Sequence, residues 1–475
     1  MNAFKSIITN TLARSCTEIM NRFGSAIFWI LIARQLGAEG LGALAFAIAL
    51  FSLFSNISTL GLGSVVVRDV AQDRSQAGLY YGQVLKAGLP VALFFTALMI
   101  IVTLLLSPKP DSAFAAIVMA FAIIPASGFY WSKSILSADE KMGYIAIARL
   151  VENVFKVGAG IALLFAGAGI REMILVFVIS KVLSFAICFK YAADKVAAPV
   201  WRHDSVITQK LVTQAPSFSL ITVFNSLFWS LTVIILTKLQ GEAEAGIFSA
   251  AFKLVELCIA LAGAYGQAFF PVVSRIAHHD LAAFVTISKK SIKYISLVTI
   301  AIVALVDVMA PQVIGLLYGQ TMAQAVPVLR ISIWLVIPFG IIPVLAFSLI
   351  SRNLQKLDLS ANIAGAVLLT VLNVILIPQS GATGAALAMT SAGVVFFAVE
   401  YYWVSKRLYR LDISLHTLKP VFGGVFMSGI VFLLKDTLIF VPVISGLALY
   451  VFYLWISKTL TIMEINSLRQ PGSVR

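Results

Sequence analysis

Two similar stretches, one in each half of the chain, decide the predicted fold. Residues 34–47 read RQLGAEGLGALAFA, and residues 238–251 read KLQGEAEAGIFSAA. When the chain is shifted by about 204 residues, two glycines of the first stretch align with two of the second, Gly37 with Gly241 and Gly42 with Gly246. Further along the chain, Gly167-Ala168 matches Gly381-Ala382 at a shift of about 214 residues. Because the matches keep their order, the sequence predicts an internal repeat.

The repeat lies in a strongly apolar chain. Of its 475 residues, 60% are hydrophobic and 12% are charged, and the mean hydropathy is +0.97. Soluble domains average roughly 45–50% apolar and 25% charged residues. A helix needs about 20 apolar residues to cross a bilayer, so the chain has room for a dozen or more spans. This composition excludes a soluble globular protein and a single membrane anchor on a soluble domain.

Apolar runs bounded by charges, glycine or proline predict about fourteen transmembrane helices. The predicted spans start near Leu12, Leu41, Gly82, Ala113, Ile145, Met173, Pro216, Ile247, Ile292, Val326, Ser360, Ala382, Pro420 and Leu438. A repeat of six spans returns to the same side of the membrane, so the two repeats are expected to be parallel. We predict an all-α polytopic membrane protein with two pseudo-symmetric six-helix lobes around a central cavity. The lobes are residues 1–204 and 205–411, and residues 412–475 add two helices and a cytoplasmic tail.

The distribution of basic residues predicts the orientation. The chain has 35 Lys and Arg against 21 Asp and Glu, a net charge of +14. Basic residues of polytopic membrane proteins collect in cytoplasmic loops, so this excess requires no nucleic-acid partner. One set of alternate loops holds about five times as many as the other, which has only Arg34, Lys109, Arg171, Lys238 and Lys435. Both termini are therefore predicted to be cytoplasmic, and no outer loop exceeds about sixteen residues.

Charges inside predicted spans are the candidate functional residues, because each costs about 2.5–3.5 kcal/mol on insertion scales. Three acid–base pairs share a helix face, namely Glu18 with Arg22, Glu152 with Lys156, and Lys253 with Glu256. Arg149 lies one turn from Glu152. Two interpretations stay open for these pairs. They neutralise one another and hold helices together, or they line a cavity where cations bind an anion and a carboxylate carries a proton.

Other residue patterns suggest little chemistry. The charges nearer the predicted span ends can reach the membrane interface and receive no function, namely Lys133, Lys181, Arg330 and Glu400. Small-residue spacings at Gly78–Gly82 and Gly315–Gly319 fit close helix packing, but loop or cap geometry is favoured. The chain has no GxSxG, GxxxxGK[ST] or HExxH signature, and its histidines and cysteines lack metal-ligand spacing. We predict neither an enzyme nor a metal or other cofactor.

Several motifs together resemble a known family. They are Ala33 to Gly42, Gly61-Leu-Gly63, Gly315 to Gly319 with Ala325 and Leu329, and Gly381 to Gly384 with the two alanines after it. Their order over about 400 residues resembles bacterial polysaccharide flippases of the Wzx type. Those proteins belong to the multidrug, oligosaccharidyl-lipid and polysaccharide exporter superfamily.

The eighth span is similar to that of a more distant group, the lipid II flippases. The matching residues are Lys253, Glu256, Pro271 and Ser274, and Arg22 matches a basic position of the first span. The relatives have arginine where this chain has Lys253. Lysine keeps the positive charge of that arginine but cannot bind a phosphate through two parallel hydrogen bonds. The second span, around Asn56, lacks the arginine that those relatives carry.

The resemblance implies a transporter that flips polyprenyl-diphosphate-linked oligosaccharide across a bacterial plasma (inner) membrane by alternating access. The product would serve surface polysaccharide, such as O-antigen, capsule or exopolysaccharide. With this implication, we expect Arg22, Arg149, Lys156 and Lys253 to bind substrate and Glu18, Glu152 and Glu256 to serve coupling. The expected partners are the lipid-linked oligosaccharide and membrane lipids, with the polysaccharide polymerase and chain-length machinery as further candidates.

Three alternatives stay open at this point. The first is a drug or small-cation antiporter of the same superfamily, although the two extra spans and the mid-membrane cations argue against a cationic drug. The second is a membrane polymerase or ligase that acts on lipid-linked sugars, although such enzymes generally need a sizeable outer loop. The third is a scaffold that transports nothing, in which Arg22 and Lys253 could be replaced without loss of function.

Overall fold

Helices make up almost all of the described chain. The computed structural model describes the backbone of residues 2–459, apart from residues 107, 203 and 412–414. It describes the side chains of this stretch from residue 24 onward, apart from residues 212, 215–221 and 415–417. These residues form fifteen α-helices, three short 3-10 turns and no strand. The predicted all-α fold is therefore confirmed.

The helices follow one another through short connections. In chain order they are α1 (Asn2–Ser58), α2 (Leu62–Gln72), α3 (Ala77–Leu106), α4 (Pro110–Ala120), α5 (Ile123–Ala138), α6 (Met142–Phe165), α7 (Ile170–Lys195), α8 (Ser205–Gln240), α9 (Glu242–Ile276), α10 (Leu281–Tyr318), α11 (Ala325–Ser332), α12 (Val336–Ser351), α13 (Gln355–Arg407), α14 (Leu415–Leu434) and α15 (Phe440–Ile456). All the predicted spans fall on these helices.

The helices have the length and composition of a polytopic membrane protein. Within the described residues, nine helical stretches are long and apolar enough to cross a membrane, and α14 and α15 add shorter apolar helices. Two of the nine, Gly24–Ser58 and Gln355–Arg407, contain a break in the helix at a glycine. The exact number of membrane crossings stays a prediction.

The chain divides into two compact units. The first comprises Met1–Lys253 and Gly365–Ala388, and the second comprises Leu254–Ala364 and Met389–Arg475. In the first unit α1 packs on α8, α6 packs on α7, and α5 packs on α7. In the second unit α10 packs on α12 and α14, and α14 packs on α15. The lobe boundaries expected from the repeat, after residues 204 and 411, stay a prediction.

Glycines that the repeat aligns share an unusual backbone conformation. Gly37 and Gly241 have φ values of 68° and 88°, in the left-handed region that favours glycine. The second aligned pair, Gly167 and Gly381, also has positive φ values, of 81° and 52°. The weak sequence repeat is therefore accompanied by a repeat in backbone geometry.

A reciprocal close contact in the first unit joins α1 to the start of α9. A Cβ atom on Gly42 would overlap the carbonyl oxygen of Glu242, and one on Gly246 would overlap the carbonyl oxygen of Ala38. The sequence shift that matches Gly42 with Gly246 also matches Ala38 with Glu242. Each repeat thus presents a glycine to the backbone of the other, and we name these four residues the glycine seam.

Replacement of Gly246 by alanine is expected to force the glycine seam apart. Overpacking of this kind costs about 1–3 kcal/mol, because the obstructing atom belongs to the backbone and cannot rotate away. Gly263→Ala on the same helix is the matched control, since a Cβ there meets no atom within 4 Å. Thermal unfolding of the purified variants measures the difference. Equal midpoints for Gly246→Ala and Gly263→Ala would contradict the tight contact.

The segment between α7 and α8 lies along α3. The N–H of Val200 donates to the carbonyl oxygen of Gly78 at 2.8 Å, and a Cβ on Gly82 would overlap the carbonyl oxygen of Val200. Side chains of Gln83 and Lys86 donate to the carbonyl oxygens of Arg202 and Trp201. The Gly78–Gly82 spacing therefore accommodates a loop backbone, as the favoured loop interpretation implied.

The second small-residue spacing has a capping role, as favoured from the sequence. Gly319 follows the last residue of α10 with a φ of 78°. Its N–H donates to the carbonyl oxygen of Gly315 at 3.0 Å. The left-handed glycine therefore ends the helix.

An ion-pair cluster connects α2, α3 and α8, and its carboxyl group lies on α2, outside the nine long apolar stretches. The buried carboxyl of Asp69 accepts hydrogen bonds from Arg68 Nε at 2.8 Å and from the Tyr80 hydroxyl at 2.9 Å, and Lys210 Nζ lies 2.8 Å away. Arg68 also donates to the Gln214 side chain at 2.6 Å. Burial acts to raise the pKa of Asp69, but the hydrogen bonds from Arg68, Lys210 and Tyr80 outweigh it and hold that pKa below its ordinary value.

The Asp69 cluster is expected to lose its stabilising effect in acid. A carboxyl whose pKa is lowered by folding stabilises the fold above its unfolded pKa of about 3.9, and this contribution disappears as the pH falls through the folded pKa. Asp69→Asn should cost about 1 kcal/mol at pH 7, because both cations remain partly solvated. Thermal unfolding should show the wild type and Asp69→Asn converging below about pH 4. A gap between them that widens in acid would contradict the assigned ion pairs.

Candidate functional site

Four basic side chains and one carboxylate gather in the first unit. Arg149, Glu152 and Lys156 are spaced by three and four residues, so they share one face of α6. Lys181 comes from α7, and Lys253 comes from α9. Lys156 lies in the electrostatic field of all four other members. We name these five residues the basic cluster.

The carboxylate of the basic cluster is buried and faces two cations. Glu152 is 6% exposed, and its Oε1 accepts a hydrogen bond from Lys181 Nζ at 2.6 Å. Its Oε2 lies 3.6 Å from a terminal nitrogen of Arg149. Glu152 is therefore already paired across two helices, so it cannot neutralise the other two cations as well.

Lys156 makes its direct polar contact elsewhere. Its Nζ donates to the Ser25 hydroxyl on α1 at 3.2 Å, and that hydroxyl donates to the Asn153 side chain at 3.1 Å. The sequence predicted that Lys156 would pair with Glu152 along α6. Instead, Glu152 pairs with Lys181 from the adjacent helix α7, and Lys156 binds Ser25.

Each cation of the basic cluster lies over an aromatic ring. Lys253 Nζ is 4.9 Å from the centre of the Trp29 ring. The other distances to ring centres are 4.4 Å for Arg149 over Phe129, 5.7 Å for Lys156 over Phe177 and 5.7 Å for Lys181 over Phe51. The negative face of an aromatic ring stabilises a cation without neutralising its charge. Within the basic cluster itself, four cations in apolar surroundings therefore lie with one carboxylate and four aromatic rings.

The predicted site residues have different outcomes. The structure brings Arg149, Glu152, Lys156 and Lys253 together in one unit. The side chains of Glu18 and Arg22 lie outside the described residues. Lys253 and Glu256 are both half-buried, and the ion pair between them stays a prediction.

The sequence analysis gave Lys181 no function because it placed this residue near the end of a span, and that placement was wrong. It lies near the middle of α7, 20% of its side chain is exposed, and it carries the shortest ion pair of the basic cluster. Helical spacing reveals partners on the same helix, whereas Lys181 and Glu152 meet across two helices. A basic residue in the middle of a long apolar helix was the available signal.

The Glu152–Lys181 pair is expected to contribute strongly to stability. Glu152→Leu leaves Lys181 without its carboxylate and should cost about 3 kcal/mol, the lower end for breaking a buried pair. Adding Lys181→Met removes the stranded charge and should restore most of the loss. Thermal unfolding of the single and double variants tests the coupling. Strictly additive losses would show that the two side chains act independently.

Comparison with known families and structures gives consistent results. A family model described as "Polysaccharide biosynthesis protein" matches residues 5–277. A relative from Haloferax volcanii, named "Probable low-salt glycan biosynthesis flippase Agl15", is 22% identical over 404 residues, 83% of this chain and 84% of the relative. The chain is thus similar to a glycan flippase over most of its length.

Solved structures with a similar fold are transporters. The lipid II flippase MurJ in an inward closed conformation matches with a TM-score of 0.79 and 15% identity, over 98% of this chain and 100% of MurJ. An inward-facing multidrug resistance MATE transporter of the MOP superfamily matches with a TM-score of 0.68 and 16% identity, over 82% of this chain and 94% of that one. At these identities the likeness concerns the fold, and it confirms the predicted all-α fold of many apolar helices.

Proposed function

This chain belongs to the polysaccharide biosynthesis protein family, and we propose that it flips a lipid-linked oligosaccharide across a membrane. The substrate class is a polyprenyl-diphosphate-linked oligosaccharide, the protein is a multi-pass transporter, and no covalent chemistry is needed. The observation that carries the proposal is the basic cluster, in which four cations face one carboxylate. The names of the glycan flippase from Haloferax volcanii and of MurJ support the same class of substrate.

The charge of the head group explains why a basic cluster is needed. An isolated ion moved from water into a medium of low dielectric constant loses tens of kcal/mol of solvation. A diphosphate therefore needs compensating cations along its path. The aromatic rings under the four cations keep them stable while the site is empty, and a diphosphate can then replace those rings as the better partner.

Further parts of the proposal concern the transport cycle and its setting. We place the protein in a bacterial plasma (inner) membrane because of its resemblance to bacterial flippases. Both termini are placed in the cytoplasm because of the bias in Lys and Arg. Transport proceeds by alternating access from the cytoplasmic to the outer leaflet. In this proposal Arg22, Arg149, Lys156 and Lys253 bind the head group, and Glu18, Glu152 and Glu256 are candidates for coupling. The polysaccharide polymerase and chain-length machinery are the proposed protein partners.

A drug or small-cation antiporter is the alternative within the same fold, since the chain also resembles MATE structures. The basic cluster disfavours that alternative, because its excess positive charge repels a cationic drug. A flippase instead requires a site that attracts an anion. The two functions therefore make opposite demands on the charge of the same five side chains.

Lys253 is expected to be essential for flipping through its charge. We expect Lys253→Ala and Lys253→Glu to abolish transfer of a labelled polyprenyl-diphosphate oligosaccharide in liposomes, while Lys253→Arg stays active. Lys435→Ala is the matched control, because Lys435 also lies over an aromatic ring, 4.2 Å from that of Phe432, but outside the basic cluster. All variants are compared at equal amounts of folded protein in the membrane.

The same assay distinguishes the alternatives. Activity retained in Lys253→Glu would refute a role in binding an anion. A wild-type protein that exports small cations but moves no lipid-linked sugar would favour the antiporter. Full function of both Lys253→Ala and Arg22→Ala would favour the scaffold.

A further inference from the structure

A buried pair of carboxyl groups lies in the second unit, away from any residue assigned to transport above. Asp358 is near the start of α13, and Glu400 is near its end, with the break at Gly381 between them. Asp358 is 5% exposed and Glu400 is 0% exposed. The expectation that Glu400 reaches the membrane interface from a span end is therefore wrong, because the side chain is enclosed by protein.

The two carboxyl groups contact each other without a donor. The Trp403 indole N–H, one turn after Glu400, donates to the Ser360 hydroxyl, two residues after Asp358, at 2.9 Å, so the two ends of α13 lie side by side. This places the carboxyl groups of Asp358 and Glu400 within hydrogen-bonding reach of one another. Among the described residues, neither oxygen of Glu400 receives a hydrogen bond from any donor group. Asp358 receives one from the side-chain amide of Asn362, at 3.4 Å. Two ionised carboxylates can only accept hydrogen bonds, so their contact requires a proton on one of them.

The neighbouring titratable groups are engaged with other partners. The Tyr401 hydroxyl donates to the carbonyl oxygen of Leu411 at 2.5 Å, and the Tyr409 hydroxyl is 3.3 Å from the Ser348 hydroxyl. Arg352 donates to the carbonyl oxygen of Ala277 at 2.6 Å. These groups supply no donor to Glu400.

Basic residues on the surrounding helices do not neutralise the pair. They are Arg275 on α9, Lys289, Lys290 and Lys293 on α10, Arg352 after α12, and Lys356, Lys406 and Arg407 on α13. The groups that act on the two carboxyls are Asn362 and the carboxyls themselves, and none of these basic residues is among them. Leu357, next to Asp358, and Val404, one turn after Glu400, pack in an apolar cluster with Leu349.

We propose that Asp358 and Glu400 form a proton-binding site that holds the two ends of α13 together. One shared proton joins the carboxyl groups by a hydrogen bond. Its release leaves two negative charges in contact in apolar surroundings, and their repulsion separates the ends of the helix. Asp358 is close to the basic segment from Arg352 to Lys356, on the side that the distribution of Lys and Arg assigns to the cytoplasm, so protons exchange with that side.

Infrared spectroscopy tests the bound proton directly. The purified full-length protein in liposomes is titrated, and the carbonyl stretch of protonated carboxylic acids is followed. We expect a band that disappears as the pH rises and that is absent in Glu400→Gln. Glu39→Gln is the control and should retain the band, because Glu39 is 69% exposed and 3.0 Å from Lys109. A wild type without the band, or a band unchanged by Glu400→Gln, would overturn the proposal.

A distance measurement tests the separation of the two ends. Spin labels at Lys356→Cys and Arg407→Cys report the distance between exposed positions near the two carboxyl groups, with the native Cys16, Cys188 and Cys258 replaced by alanine. We expect the distance to increase as the pH rises in the otherwise wild-type chain. Glu400→Gln should show no pH dependence, because glutamine keeps the shape and hydrogen-bonding capacity without the charge. A distance independent of pH in both chains would overturn the proposal.

Coupling of this proton to transport rests on the proposed function. Wild-type liposomes are expected to flip the labelled lipid faster under a pH gradient, with a limit of about tenfold per pH unit, the change in proton activity. Glu400→Gln is expected to flip without this dependence. Equal dependence in both chains, or a requirement for sodium instead of a pH gradient, would overturn the coupling. A wild-type protein that flips no lipid would contradict only the proposed function. The infrared and distance measurements would still test the proton-binding site.

Discussion

The cost of enclosing charge in apolar surroundings governs the arrangement of this protein. Each ionised side chain inside the bilayer must find a counter-charge, a polar partner or an aromatic face, since water is absent. The basic cluster uses all three, because Glu152 binds Lys181, Ser25 binds Lys156, and aromatic rings lie beneath the cations. Within the five residues of the basic cluster, one carboxylate stands against four cations.

The glycine seam allows the backbones of α1 and α9 to approach each other closely. Helices in a membrane approach closely only where side chains are small, because lipid supplies no hydrophobic force to drive helices together. Gly42 and Gly246 bring the backbones of α1 and α9 together, and each occupies the corresponding position of its repeat. The contact maps onto itself under the shift that aligns the two stretches. The aligned glycines Gly42 and Gly246 therefore lie where the backbone geometry leaves no room for a larger residue.

The sequence predicted the helices better than it predicted which charged side chains pair with each other. Helical segments follow from apolar composition, and the aligned glycines, such as Gly37 and Gly241, follow from a conformation that other residues rarely adopt. The pairing of Glu152 with Lys181 could not be predicted, because it depends on which helices become neighbours. The same is true of Glu400, whose position near the end of α13 gave no sign that Asp358 lies against it. Spacing along the sequence shows which side chains share one face of a helix. Which side chains on other helices they contact depends on how the helices pack.

The path of the segment between α7 and α8 has a consequence for engineering the protein. A connection between two predicted repeats is normally an attractive place for an inserted tag or fluorescent domain, because exposed loops tolerate extra residues. Here the backbone of Val200 is hydrogen-bonded to α3 and occupies the space left by Gly82, and Lys141 donates to the carbonyl oxygen of Lys195 just before it. An insertion would have to detach a segment that is bound to α3, whereas an insertion in an exposed loop only lengthens that loop. The connection therefore behaves as part of the packed protein and not as a flexible tether.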